Sequence, residues 1–117
     1  MKTIDSPFKL KGLQLKNRIV MAPMCQYSVD KEDGIPNDWH FVHYVSRAIG
    51  GTGLIIMEMT GVTPEGRITN QDLGLWDDAQ IPAYKRIVSE VHKYGSKIGI
   101  QIGHAGRKAE DAIQPVA

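Results

Sequence analysis

The chain has 117 residues, 42% hydrophobic and 23% charged, with 14 basic against 13 acidic side chains and a net charge of +1. That is the make-up of one modest globular domain, and so balanced a charge leaves no electrostatic footprint for nucleic acid or a membrane surface. A single cysteine permits no internal disulfide, as expected in a reducing cytoplasm. No apolar run approaches the about 18 residues of a membrane span, and Met1–Pro7 lacks the apolar core of a secretory signal.

Phe8 to Lys16 alternates apolar and polar residues on either side of Gly12, which predicts a short β-hairpin with Leu10, Leu13 and Leu15 packed on one side. Arg18 to Ala22 is an apolar, β-branched run of the kind buried on both faces. It ends at Pro23, which cannot donate to a sheet ladder. Ser28 to Pro36 is polar, turns at Asp33-Gly34 and reads as a surface loop. Asn37 or Asp38 then caps a helix to about Ile49, with Trp39, Val42, Val45 and Ile49 as its expected buried stripe.

Gly50 to Gly53 opens a second apolar strand, Leu54 to Glu58. The stretch from Met59 to Trp76 is long for a βα connection and predicts a functional or covering loop, with Arg67 and Asp72 as surface charges or anchors. A second helix begins near Asp77-Asp78, holds Pro82 in its first turn and ends before Gly95. Its expected inner face is Ile81, Tyr84, Val88 and Val91. Lys97 to Ile102 is the third strand, followed by a Gly103–Lys108 loop and an uninformative tail from Ala109. Apolar strands joined by amphipathic crossovers predict an α/β protein, either doubly wound or a (β/α)8 barrel. A barrel takes about 250 residues, so three strands are either an N-terminal portion of one, the favoured reading, or a small open sheet.

Candidate chemistry gathers at the strand ends, where sites of α/β proteins sit. Met24, Cys25 and Tyr27 can touch a flat, polarisable ligand, although a lone cysteine and a methionine also serve as core filler. Gln101 is an amide in an apolar strand; it suits the N–H and carbonyl edge of a pyrimidine or flavin ring, or a backbone partner. His104, Arg107 and Lys108 could hold negative charge or form a solvated turn. His40 and His43 share a helical face but have no third ligand at a compelling spacing, so they read as structural, hydrogen-bonded around Trp39 and Tyr44. Gly50-Gly51-Thr52-Gly53 follows a helix instead of opening one, which argues against phosphate binding.

Four segments occur in order: Ala22-Pro-Met-Cys-Gln-Tyr27, Asp38-Trp-His-Phe-Val-His-Tyr44, Pro64-Glu-Gly-Arg-Ile-Thr69 and Gln101-Ile-Gly-His-Ala-Gly-Arg-Lys108. Together they resemble the N-terminal third of the Old Yellow Enzyme family, most of all its bacterial thermophilic-like branch of NADPH dehydrogenases. The resemblance implies that residues 1–117 are the incomplete N-terminal part of a single FMN-binding TIM-barrel domain. It implies that Ala22, Pro23, Met24, Cys25, Met59 and Gln101 bind FMN and that Tyr27 binds substrate. Met59 stands where the family has a small residue, and Gly103 where alanine is common. The implied activity is NADPH-dependent reduction of the C=C bond of an α,β-unsaturated ketone or aldehyde, in a cytoplasmic protein expected to be a homo-oligomer. The family's histidine pair, proton-donating tyrosine and FMN phosphate site lie beyond the third strand, so no catalytic acid and no metal ligand is assigned here. The other reading is a catalytically inert barrel fragment that pairs through its open sheet edge.

Overall fold

The computed structural model describes residues 2–111. A two-stranded antiparallel hairpin, β1 (Phe8–Leu10) and β2 (Leu13–Leu15), precedes a parallel sheet. The sheet contains β3 (Val20–Met21), β4 (Leu54–Gly61), a two-residue β5 (Leu73–Gly74) and β6 (Lys97–Gly103). Helix α1 (Asp38–Ile49) crosses from β3 to β4, and α2 (Ile81–Lys93) leads into β6. β3 and then β5 share one edge of β4, while β6 takes the other, all parallel.

The main strands β3, β4 and β6 therefore lie in chain order with no reversal, and α1 packs on α2. A doubly wound sheet needs a reversal of strand order to place helices on both faces. Right-handed crossovers without reversal put the helices on one face, which is barrel winding.

Local chemistry explains the element bounds. The Asn37 side chain accepts from the Trp39 amide at 2.9 Å, while His40 Nδ1 accepts from the Asn37 amide at 3.0 Å. This reciprocal capping box starts α1 at Asp38. Asp77 caps a 3₁₀ turn, Asp78–Gln80, that runs into α2, and Pro82 falls in the first turn of that helix as expected. Met21, Val29, Tyr44, Val45, Ala48, Ile55, Met57, Leu73, Tyr84, Ile87 and Val91 form one core between sheet and helices.

Several expectations need correction. Only Leu15 of the hairpin leucines is buried; Leu10 and Leu13 share its face but flank the turn at the far end of the hairpin, where they are exposed. The first strand is two residues, and Ile19 and Val20 are exposed, because β3 has a partner along one edge only. The expected stripe of α1 points largely outward, with Trp39, Val42 and Ile49 at 50%, 56% and 60% exposure and only Val45 buried. The helix instead turns His40, His43, Tyr44 and Ala48 inward. The cause is a carboxylate: Glu58 is 1% exposed and needs a donor, which Tyr44 supplies. On α2, Tyr84 and Val91 are buried as expected, but Ile87 replaces the exposed Ile81.

The long loop is a sewn structure. β4 extends to Gly61, a 3₁₀ turn spans Pro64–Gly66, and β5 pairs Leu73 with Thr60. Arg67 donates to the carbonyls of Pro64, Glu32 and Asn70 at 2.9, 2.9 and 3.0 Å. Asp72 is fully buried and accepts from the Ile68 amide and the Thr69 hydroxyl. Both residues are anchors, and Asp72 is no surface charge. The expected tail is described as far as Asp111, whose carboxylate accepts from the Asn70 amide; residues 112–117 lie outside the described part.

Candidate functional site

The carboxyl ends of β3, β4 and β6 deliver the candidate residues. Ala22 to Tyr27 leave β3, Met59 lies late in β4, and Gln101 lies late in β6. The β4–β6 ladder pairs Met57 with Ile100 and then Thr60 with Ile102. Two residues of β4, Glu58 and Met59, thus oppose Gln101 alone. This is a β-bulge, a device that re-aims side chains beside sites.

Met59 and Gln101 line a cleft of about 580 Å³ with Ile68, Gly103, His104 and Lys108. The Met59 side chain lies over Gly103: a Cβ built there would stand 3.2 Å from both its Cγ and its Sδ. Gln101 is exposed, although the apolar strand around it reads as one that would bury its amide. No described element covers its side of β6, and no other described residue takes up its amide. That amide is free to meet a ligand. His104 and Lys108 join the cleft, whereas Arg107 stays in solvent outside it.

Cys25 is half-buried between Tyr27 and the backbone of Met59. Burial pushes its thiol up from the ordinary value, aided by the negative charges of Asp72 and Glu58; the Met59 backbone and Tyr27 hydroxyl pull it partly back. Tyr27 is pushed up chiefly by Cys25. Both therefore hold their protons at neutral pH. Tyr27 has a φ of +50°, the left-handed region that an L-residue enters at a cost. It lines a second groove, with Ser28, Asp30, Asn37, Trp39 and Arg86, not the Gln101 cleft. Ala22 and Met24 are exposed and Pro23 is partly covered along the same edge.

Behind this edge lies a cluster that residue-by-residue reading missed. Glu58 Oε1 accepts from the Tyr44 hydroxyl at 2.8 Å, and Oε2 accepts from the Gln26 amide at 3.1 Å. Burial raises the Glu58 carboxyl above its usual range, opposed by these two bonds. His40 Nε2 stands 3.9 Å from Oε1, beyond hydrogen-bonding distance. Burial, aided by the neighbouring His43 and only partly opposed by Asp30, lowers His40 to about 4, so it is neutral at pH 7. His43 packs between Trp39 and Tyr44, with ring centroids 5.8 and 4.9 Å away; it is held by ring packing and not by the expected hydrogen bonds to those residues, and neither its Nε2 nor that of His40 has a partner among the described residues. The available signal was a glutamate closing an otherwise apolar strand.

A thiol, an amide with no partner among the described residues, an irregular strand backbone, and the Lys108 ammonium and His104 imidazole on the rim fit a flat ring with polar edges, such as a flavin. The comparisons agree. The sequence model of the NADH:flavin oxidoreductase / NADH oxidase family matches residues 4–117. An NADPH dehydrogenase from Listeria monocytogenes serotype 4a (strain HCC23) is 61% identical over 109 residues, 93% of this chain and 32% of that protein. Morphinone reductase superposes with a TM-score of 0.84 at 34% identity, over 93% of this chain and 28% of that one. The old yellow enzyme from Trypanosoma cruzi gives 0.81 at 38% identity, over 91% and 28%. The chain thus spans about a third of the length of the curated relatives it matches.

Proposed function

The chain belongs to the NADH:flavin oxidoreductase / NADH oxidase family, that of the Old Yellow Enzymes, and from this we propose that it forms one wall of an FMN site in an NADPH-dependent ene-reductase. The observation that carries the reading is the placement of Cys25, Met59 and Gln101 at the carboxyl edge of one parallel sheet, with Cys25 against the Met59 backbone, Met59 beside Gln101 in one cleft, and the Gln101 amide without a partner among the described residues. Residues 1–117 would be the N-terminal part of a single FMN-binding barrel domain.

FMN, when bound, supplies the hydride chemistry between NADPH and an activated C=C bond. This chain's residues do the rest. Gln101 offers a donor and an acceptor to the ring's pyrimidine edge. Cys25, protonated at neutral pH, lies along the ring with Ala22, Pro23 and Met24 and tunes its potential. Met59 contributes backbone and the flank of its side chain. Tyr27, also protonated, binds the carbonyl compound, an α,β-unsaturated ketone or aldehyde. The single cysteine fits a reducing cytoplasm, and a homo-oligomer is the proposed assembly. The match to a flavin oxidoreductase family, together with 61% identity to an NADPH dehydrogenase, supports the nicotinamide and flavin parts of the reading.

The test is a visible absorption spectrum of the full-length protein after gel filtration with FMN, followed by NADPH-dependent reduction of cyclohexenone. A retained flavin band that Gln101→Leu weakens by about tenfold in affinity supports the assignment. A full-length protein that retains no flavin overturns it.

A further inference from the structure

We propose that Gln26 is the positioning residue of this site, clasped by Glu58 and Trp39 so that Cys25 and Tyr27 on either side of it are held in one orientation. What those two side chains face rests on the flavin reading above; the clasp itself rests on geometry.

Gln26 is engaged through its backbone and its side chain. Its amide N–H donates to Glu58 Oε2 at 3.1 Å, and its carbonyl accepts from the Ser28 hydroxyl at 2.8 Å. Its side-chain Nε2 donates to the Met24 carbonyl at 2.9 Å, and its Oε1 accepts from the Trp39 indole N–H at 3.2 Å. The segment from Met24 to Ser28 is thus closed on itself and tied outward to β4 and α1. Those two ties are themselves rigid. Tyr44 holds the Glu58 carboxylate and amide, and Trp39 stacks on His43.

A second observation agrees. Tyr27 follows Gln26 directly and has a φ of +50°. A bulky residue persists in that region only where its surroundings over-determine the backbone. Here the bonds to the residue before it and from the residue after it do so. The exposed Trp39, out of place as a core residue, has its purpose in this contact.

The test follows alkylation of Cys25 by iodoacetamide in the flavin-free, full-length protein, read at Cys25 by peptide mass, across the pH range in which the thiol ionises. The midpoint reports charge near the thiol. The limiting rate at high pH reports how freely the thiolate is presented. Gln26→Ala and Glu58→Leu are expected to raise the limiting rate about tenfold, as a held segment becomes mobile. Glu58→Gln retains an acceptor for the Gln26 amide; it is expected to move the midpoint down and leave the limiting rate within about twofold of wild type. Should Glu58→Leu fail to fold, Gln26→Ala decides, since its side chain is not part of the core. A Gln26→Ala protein with native circular dichroism and an unchanged limiting rate overturns the proposal. A raised rate in a protein that retains no FMN upholds the clasp and removes only the cofactor assignment.

Discussion

The Tyr44 hydroxyl grips Glu58 twice, donating to its carboxylate Oε1 at 2.8 Å and accepting from its backbone amide at 2.8 Å. Two buried polar groups, 14 residues away along the chain, are satisfied by one side-chain oxygen. Tyr44→Phe leaves both short of a partner with almost no change of volume. The expected loss is about 2 kcal/mol of unfolding free energy, the usual cost of stranding buried polar groups. Urea denaturation of the full-length protein measures it, and a loss below about 0.5 kcal/mol would show that water reaches Glu58.

Acid should weaken the fold through His40. Its folded value of about 4 lies below the ordinary 6.5. The unfolded chain therefore binds a proton that the folded chain refuses, and stability falls as pH drops from 6.5 toward 4. The difference of 2.5 units (6.5 − 4) corresponds to about 3 kcal/mol at the low end. Glu58 works in the opposite sense, because its raised carboxyl takes up a proton more readily when folded. The variant to compare is His40→Gln, which can keep the capping box and cannot titrate. Its melting temperature should fall less than wild type over this pH range; parallel profiles would refute the assignment.

Gly74 and Gly12 should differ sharply on substitution. A Cβ at Gly74 would lie inside the Trp76 ring, with Cε3 and Cη2 at 2.6 Å, while a Cβ at Gly12 meets nothing within 4 Å. The Tyr84 hydroxyl also donates to the Gly74 carbonyl at 2.7 Å, so the backbone cannot retreat without losing that bond. Gly74→Ala is expected to cost about 3 kcal/mol, and Gly12→Ala to stay within about 0.5 kcal/mol. Thermal unfolding of the two variants side by side decides; equal melting temperatures would count against the packing described.

Met59 and Gly103 form a coupled pair. The methionine fills the space that a Cβ at position 103 would enter, at 3.2 Å. Gly103→Ala alone should destabilise by about 1 kcal/mol, and Met59→Ala in the same chain should relieve most of that penalty. A double-mutant cycle on unfolding free energy measures the coupling. Strict additivity would mean that Met59 moves aside without cost.

Much of this was readable from residue order. Leu54–Glu58 and Lys97–Ile102 show themselves as strands because a strand covered by helices is apolar without alternation. The ends of α1 follow from Asn37 and from the glycines after Ile49. Cys25, Tyr27 and Gln101 stood out as polar or reactive groups at the ends of such runs. The inward face of α1 was not readable. Its apolar periodicity favours Trp39, Val42 and Ile49, and the structure buries His40, Tyr44 and Ala48. The Gln26 clasp was equally hidden, since none of its partners is marked by spacing.

The sequence by itself therefore determined the order of the main elements, the parallel α/β class and which residues stand at the carboxyl end of the sheet. Those depend on periodicity, caps and breakers, which act within a few residues. Only the tertiary structure decided which face of α1 turns inward, where the bulge opposite Gln101 falls and what holds Cys25. One buried carboxylate, Glu58, links α1 to the segment that carries Cys25, because its desolvation must be answered by donors from Tyr44 and Gln26 far along the chain. No local pattern encodes such a partner.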